Sequence, residues 1–191
     1  MTASPEATPH TLPDLLQPGL DLVFAGINPG ERSARAGHYY GHPGNGFWPA
    51  LSASGLAGGE VGPADDRRLS ERGGIGFTDV VKRVVTDSSR VTNSELRAAE
   101  PIFRERIAAA SPRALCFTTT RAFELLFPGM REPASWGRQP VTLEGAEVWV
   151  MPSTSGRAAG WRSEVHRVLA DLARDLDRVP TAPAASAPAS R

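Results

Sequence analysis

Two short apolar runs, each ending in a loop of small residues, constrain the fold of this chain more than any other feature. Residues 20–25 (Leu-Asp-Leu-Val-Phe-Ala) run into Gly26-Ile27-Asn28-Pro29-Gly30, and residues 147–151 run into Pro152-Ser153-Thr154-Ser155-Gly156-Arg157. Runs of this length read as strands buried on both faces, and a third run lies at 114–118. Between and after them come helical patterns. Thr92 and Glu95 have capping-box spacing and open one through Ala110, which Pro101 is expected to kink or split. A second follows Thr120, with Ala122, Leu125 and Leu126, and stops at Pro128-Gly129. A last pattern, about 158–177, sets Trp161, Val165, Val168, Leu169, Leu172 and Leu176 on one core-facing stripe. Strands alternating with amphipathic helices predict an α/β fold with a mostly parallel sheet covered on both faces. Ligand crevices of such sheets lie beyond the carboxyl ends of the strands. The 26–30 and 152–157 loops are therefore expected on one rim.

At 191 residues the chain has the size of one domain. Residues 1–17 carry Pro5, Pro9 and Pro13 and read as a flexible arm with one apolar contact at Leu15 and Leu16. Residues 18–178 form the globular body, within which 57–66 reads as a surface loop, and the Pro/Ala-rich residues 179–191 read as a disordered tail. The 21 basic and 21 acidic residues balance, so any polyanion must be met by a local patch. Cys116 is the single cysteine, which excludes an intramolecular disulfide and a cysteine-rich metal site. No leader or apolar run near 20 residues is present, and a cytoplasmic protein without a membrane segment is expected. Lys82 is the sole lysine, so Schiff-base chemistry would have to use it.

The Gly26–Gly30 turn can present backbone amides and one side-chain amide to a guest, yet Glu31-Arg32 follows it where a P-loop needs Gly-Lys-Ser/Thr. Asn28 standing alone would more readily be read as making an Asx turn before Pro29. The segment 37–48 gathers rings, histidines and glycines. Phe47 and Trp48 are expected to bury themselves as a helix begins, and Tyr40 is the better candidate to stack on a flat base. His38 and His42 have i,i+4 spacing, but Gly41 and Pro43 disfavour a helix there, so no metal is expected. A triad of Ser153 or Ser155 with His166 and Asp79 lacks the Gly-x-Ser-x-Gly elbow. Asp79 could pair with Lys82 on a helix surface or stand as a carboxylate in the crevice.

Taken together, Gly26-Ile27-Asn28-Pro29-Gly30, His42-Pro43-Gly44-Asn45-Gly46-Phe47-Trp48, Gly74-Ile75-Gly76-Phe77-Thr78-Asp79 and Met151-Pro152-Ser153-Thr154-Ser155-Gly156-Arg157 resemble the mismatch-specific uracil/thymine DNA glycosylases. These are a branch of the uracil-DNA glycosylase superfamily. The blocks occur in order over residues 12–176. The resemblance implies a three-layer α/β/α sandwich and a cofactor-free, metal-free, monomeric enzyme of base excision repair that flips a base out of duplex DNA. Substrates would be uracil, and in some members thymine or modified cytosine, opposite guanine. It implies that Asn28 positions the attacking water, that Gly26, Ile27, Tyr40, Asn45 and Ser153 line the base pocket, and that Ser155, Gly156 and Arg157 enter the helix with Arg157 as wedge. Asp79 departs from the asparagine or lysine of relatives, and Tyr39 replaces a histidine of some, so Asp79 is expected to act in catalysis or base choice.

That chemistry suits the residues. Breaking a glycosidic bond develops positive charge on the sugar and negative charge on the base, and placed dipoles can stabilise both. An asparagine amide orients water but is a very poor base, so Asp79 could supply basicity. The scarcity of lysine argues for an intact abasic site as product. A damaged-DNA-binding module that does not cut, and a small-molecule hydrolase on the same fold, are the competing expectations.

Overall fold

The computed structural model describes residues 11–130 and 136–178, with only the backbone at 157–159. Its five strands are β1 (Leu22–Gly26), β2 (Ile75–Asp79), β3 (Ala114–Phe117), β4 (Gly137–Leu143) and β5 (Ala146–Val150). They form one sheet in the order β2-β1-β3-β5-β4. All pairings are parallel except that of β4 with β5, whose register shifts between Arg138 and Thr142. Pro140 is tolerated in β4 because that strand lies at the sheet edge.

Alternate residues of the buried strands feed two cores, the period-2 consequence of strand geometry. Leu22, Phe24, Ile75, Phe77, Cys116 and Trp149 point to one face, where α2 (Phe47–Ser54), α3 (Asp66–Arg72) and α6 (Arg162–Asp175) pack, and the short α1 (Glu31–Ala36) precedes α2. Val23, Ala25, Leu115, Phe117, Val148 and Val150 point to the other, under α4 (Asn93–Ala110) and α5 (Thr120–Leu126). This is the expected three-layer α/β/α sandwich. Among the described residues no helix is long and apolar enough to cross a membrane.

Several local expectations change. The Thr92/Glu95 capping box is present, but α4 runs through Pro101 as one element; Pro101 is exposed on that helix, so the carbonyl it leaves unpaired can meet water. The final helix begins at Arg162, after a 3-10 turn at Gly156–Trp161, and Trp161 is 53% exposed and lies off the core stripe. Asp66, expected in a surface loop, is 1% exposed and opens α3. The described part of the N-terminal arm does not hang loose. Leu12 is buried, and Leu15 bridges Phe77 through two backbone hydrogen bonds of 2.9 and 3.0 Å. Residues 1–10 and the expected tail from 179 lie outside the described residues.

Candidate active site

The carboxyl ends of the parallel strands are in register, and this gathers the site. Gly26 sits opposite Asp79, Thr118 N donates to Ala25 O at 3.0 Å, and Met151 N donates to Phe117 O at 2.9 Å. The loops that leave β1 and β5 therefore emerge from the same edge, two strand spacings or about 10 Å apart across β3. The 42–46 segment closes the gap to the later loop. Gly46 N donates to Thr154 O at 2.9 Å, and Gly44 O lies 3.8 Å from the place of a Cβ on Gly156.

Asn28 is held by its nitrogen. Nδ2 donates to Pro29 O and to Val85 O, both at 2.9 Å, while Oδ1 is buried with no hydrogen-bond partner. The two carbonyl partners fix which end of the amide is which, since an oxygen in place of Nδ2 would face two acceptors. The side chain thus presents a rigid, unsatisfied acceptor, a costly arrangement in a folded protein. Val85 N in turn donates to Pro29 O, tying the loop after β2 to the loop after β1.

Asp79 ends β2 and is 4% exposed. Its Oδ1 lies 2.3 Å from where a Cβ on Gly26 would stand, so the carboxyl group rests on a bare glycine backbone; Oδ2 is buried without a partner. Burial pushes this carboxyl up to about 7; Lys82 opposes the rise, Asp14 adds to it, and Arg106 opposes it. Of the two expectations for Asp79, the helical surface pair with Lys82 is overturned: the residue is at a strand end in the interior.

Tyr40 is less free than a loop residue would be. Its ring stacks on Phe47 at 4.0 Å and 20°, and its hydroxyl donates to Thr118 Oγ1 at 3.3 Å, within 3.9 Å of the Cβ place on Gly26. Burial raises its phenol well above the ordinary range, so it stays neutral. Its φ of 51° is a left-handed conformation that a bulky residue adopts only under strain. Asp66 holds the preceding turn in place, accepting from Tyr39 N at 3.0 Å and lying 3.1 Å from His38 Nδ1. Phe47 and Trp48 are buried at the start of α2, as expected.

Asn45 Oδ1 accepts from Phe47 N at 3.0 Å, which leaves Nδ2 as the group this side chain can offer. Ile27 is buried, and its carbonyl accepts from Val81 N at 2.8 Å. Ser153 and Ser155 bond within their own loop, with Oγ atoms 3.2 Å apart and Ser155 N donating to Ser153 Oγ at 3.3 Å. Gly156 is exposed at the start of the 3-10 turn, and the Arg157 side chain lies outside the described residues.

Sequence reasoning missed three contributors. Thr118 and Val85 anchor Tyr40 and Asn28 from 78 and 57 residues away, and nothing local marks either. The third is an ion cluster beside Asp79. Asp14 accepts from Thr78 Oγ1 at 2.6 Å, Lys82 Nζ at 2.8 Å and Arg106 at 2.9 Å, and Arg106 also donates to the carbonyls of Asp79 and Val80. The placing of Asp14 between Pro13 and Pro18, in a stretch that reads as a loose arm, hid that role.

The rim of the parallel sheet thus carries a clamped amide, a buried carboxyl group and an aromatic ring backed by a second ring. The family model of the uracil DNA glycosylase superfamily matches residues 13–177, and the chain belongs to that superfamily. Membership implies a glycosylase that hydrolyses N-glycosyl bonds in DNA repair, with DNA as its partner. Among solved structures the chain is similar to a candidate uracil DNA glycosylase from Methanosarcina acetivorans, at 24% identity and a TM-score of 0.57 over 85% of this chain and 97% of that one. That likeness supports the fold.

Proposed function

We propose that this protein is a monofunctional, mismatch-specific uracil-DNA glycosylase, acting as a cytoplasmic monomer with access to chromosomal DNA. It extrudes uracil, or thymine or a modified cytosine, from a duplex in which guanine is the partner. The observation that carries the reading is the clamped Asn28: its Nδ2 is spent on two carbonyls and its Oδ1 is buried without a partner. An acceptor so fixed is suited to receiving a hydrogen from a water molecule and aiming its lone pair at the sugar.

In the proposed reaction the water oxygen bonds to C1′ of the flipped nucleotide as the glycosidic C–N bond breaks, and the bonding pair leaves with the base. The Asp79 carboxylate takes the proton from the water, balances the positive charge that grows on the sugar, and returns the proton to the departing base or to solvent. Backbone amides of the 26–30 turn meet the negative charge on the base. Tyr40, backed by Phe47, stacks on the ring, while Gly26, Ile27, Asn45 and Ser153 bound the pocket. Ser155, Gly156 and Arg157 occupy the space the base vacates. Flipping costs a few kcal/mol, least for a mispaired base, which gives the preference for mismatches.

The test is single-turnover release of uracil from G·U, A·U and single-stranded substrates, with strands examined before and after alkali. The expected result is fastest release from G·U, breaks only after alkali, and a loss of about 10²–10³-fold in Asn28→Ala. Binding without release would make the protein a recognition module, and breaks before alkali would make it a lyase.

A further inference from the structure

We infer that Asp14 is a positioning residue for Asp79: by engaging Lys82 and Arg106 at once, it keeps both cations from pairing with the Asp79 carboxyl group. The inference rests on the proposed part of Asp79 in the reaction. The geometry is specific. Asp14 stands next to Leu15, whose two backbone hydrogen bonds to Phe77 fix it against β2, two residues before Asp79. From there its Oδ1 takes hydrogen bonds from Lys82 Nζ and Thr78 Oγ1, and Arg106 reaches both carboxylate oxygens. Arg106 turns its other nitrogen to the carbonyls of Asp79 and Val80, not to the carboxyl group. Lys82 spends its remaining reach on the Tyr39 hydroxyl at 3.3 Å. Both cations still act electrostatically on a buried carboxyl group whose Oδ2 has no partner.

The ionisable groups around Asp79 come from every neighbouring element. They are Asp14 from the arm, Lys82 from the segment after β2, Arg106 from α4, and the phenols of Tyr39 and Tyr40. Both phenols are raised above the ordinary range, by burial first and then by Asp79, and stay neutral. Burial would raise the Asp14 carboxyl as well, but hydrogen bonds from Lys82, Thr78 and Arg106 hold it below its usual value, so it is an anion throughout the working range. A carboxyl group paired to a cation is a weaker proton acceptor, and by absorbing that pairing Asp14 leaves Asp79 basic. Removing the Asp14 charge frees Lys82 and strips away a neighbouring negative charge, and both changes favour ionised Asp79.

The test is the pH profile of single-turnover uracil release by the full chain. Asp14→Asn is expected to move the acid limb down by about one pH unit or more. Lys82→Met is expected to move it up, and the Asp14→Asn/Lys82→Met double variant to bring it back toward the wild-type position. A slower Asp14→Asn with an unmoved limb would make Asp14 a structural fastening only and overturn the inference. If Asp14→Asn does not fold, Lys82→Met decides alone: an unmoved limb is the negative result. Asp79→Asn separates the two levels. If it keeps the wild-type limb, the role of Asp79 itself fails; if it loses the limb while Asp14→Asn and Lys82→Met do not shift it, only the role of Asp14 fails.

Discussion

The Oδ1 of Asp79 occupies the volume that a side chain at Gly26 would fill, 2.3 Å from the place of its Cβ. The two residues are register partners at the ends of β2 and β1, so a carboxyl group can lie over the neighbouring strand only if that strand ends without a Cβ.

Gly26→Ala therefore has a defined outcome. The added methyl evicts the Asp79 carboxyl group, and single-turnover release falls to about the level of Asp79→Ala. The fold loses about 1–3 kcal/mol, the usual cost of overpacking. In an Asp79→Ala background the same change costs little of either, because the space is empty. Equal losses in both backgrounds, measured by denaturant titration and single-turnover rate, would show that the two residues are not coupled.

Asp79 also makes stability depend on pH. Its carboxyl group is raised in the folded chain to about 7, so between roughly pH 4 and 7 the folded state holds a proton that the unfolded state has released. Stability from this group is highest below pH 4 and declines as pH rises through 7. Asp79→Asn removes the decline and should be more stable than wild type at pH 8, by on the order of 3 kcal/mol, with the gap closing toward pH 4. Urea titrations across that range check it, and a constant gap would contradict the burial argument.

Tyr40 allows a comparison of three variants. Tyr40→Phe gives up one hydrogen bond of 3.3 Å and keeps the stack on Phe47, so release should stay within a few-fold of wild type. Tyr40→Ala and Tyr40→Gly both lose the ring and, with it, the proposed base stacking, about 1–3 kcal/mol in the flipped complex. At φ 51° the glycine variant is relieved of left-handed strain, and thermal melts should find it about 1 kcal/mol more stable than the alanine variant. The reverse order would mean the backbone relaxes when the ring is removed.

Legibility in the sequence followed local pattern. β1, β3 and β5 are buried on both faces and show as apolar runs, so the sheet and the rim where its loops gather could be read. β2 lay hidden behind Gly73-Gly74 and carries Gly76 and Thr78, and β4 behind Pro140 and the alternation of an edge strand. With β2 unseen, the orientation of Asp79 could not be settled, since the residue is interior only because its strand pairs with β1. Asn28 was singled out, but what clamps it was not: Val85 has no property that marks it from a distance. Trp161 had helical spacing but precedes α6, and a periodic position outside the helix need not face the core.

The strand order has a consequence for the making of this protein. The rim is stitched from β1, near the beginning, and β5, whose loop starts at Met151, with β3 between them. A chain caught midway through synthesis carries Asn28 and Asp79 but lacks the strand that completes the parallel part of the sheet. The rim therefore cannot close until the fourth parallel strand is laid down.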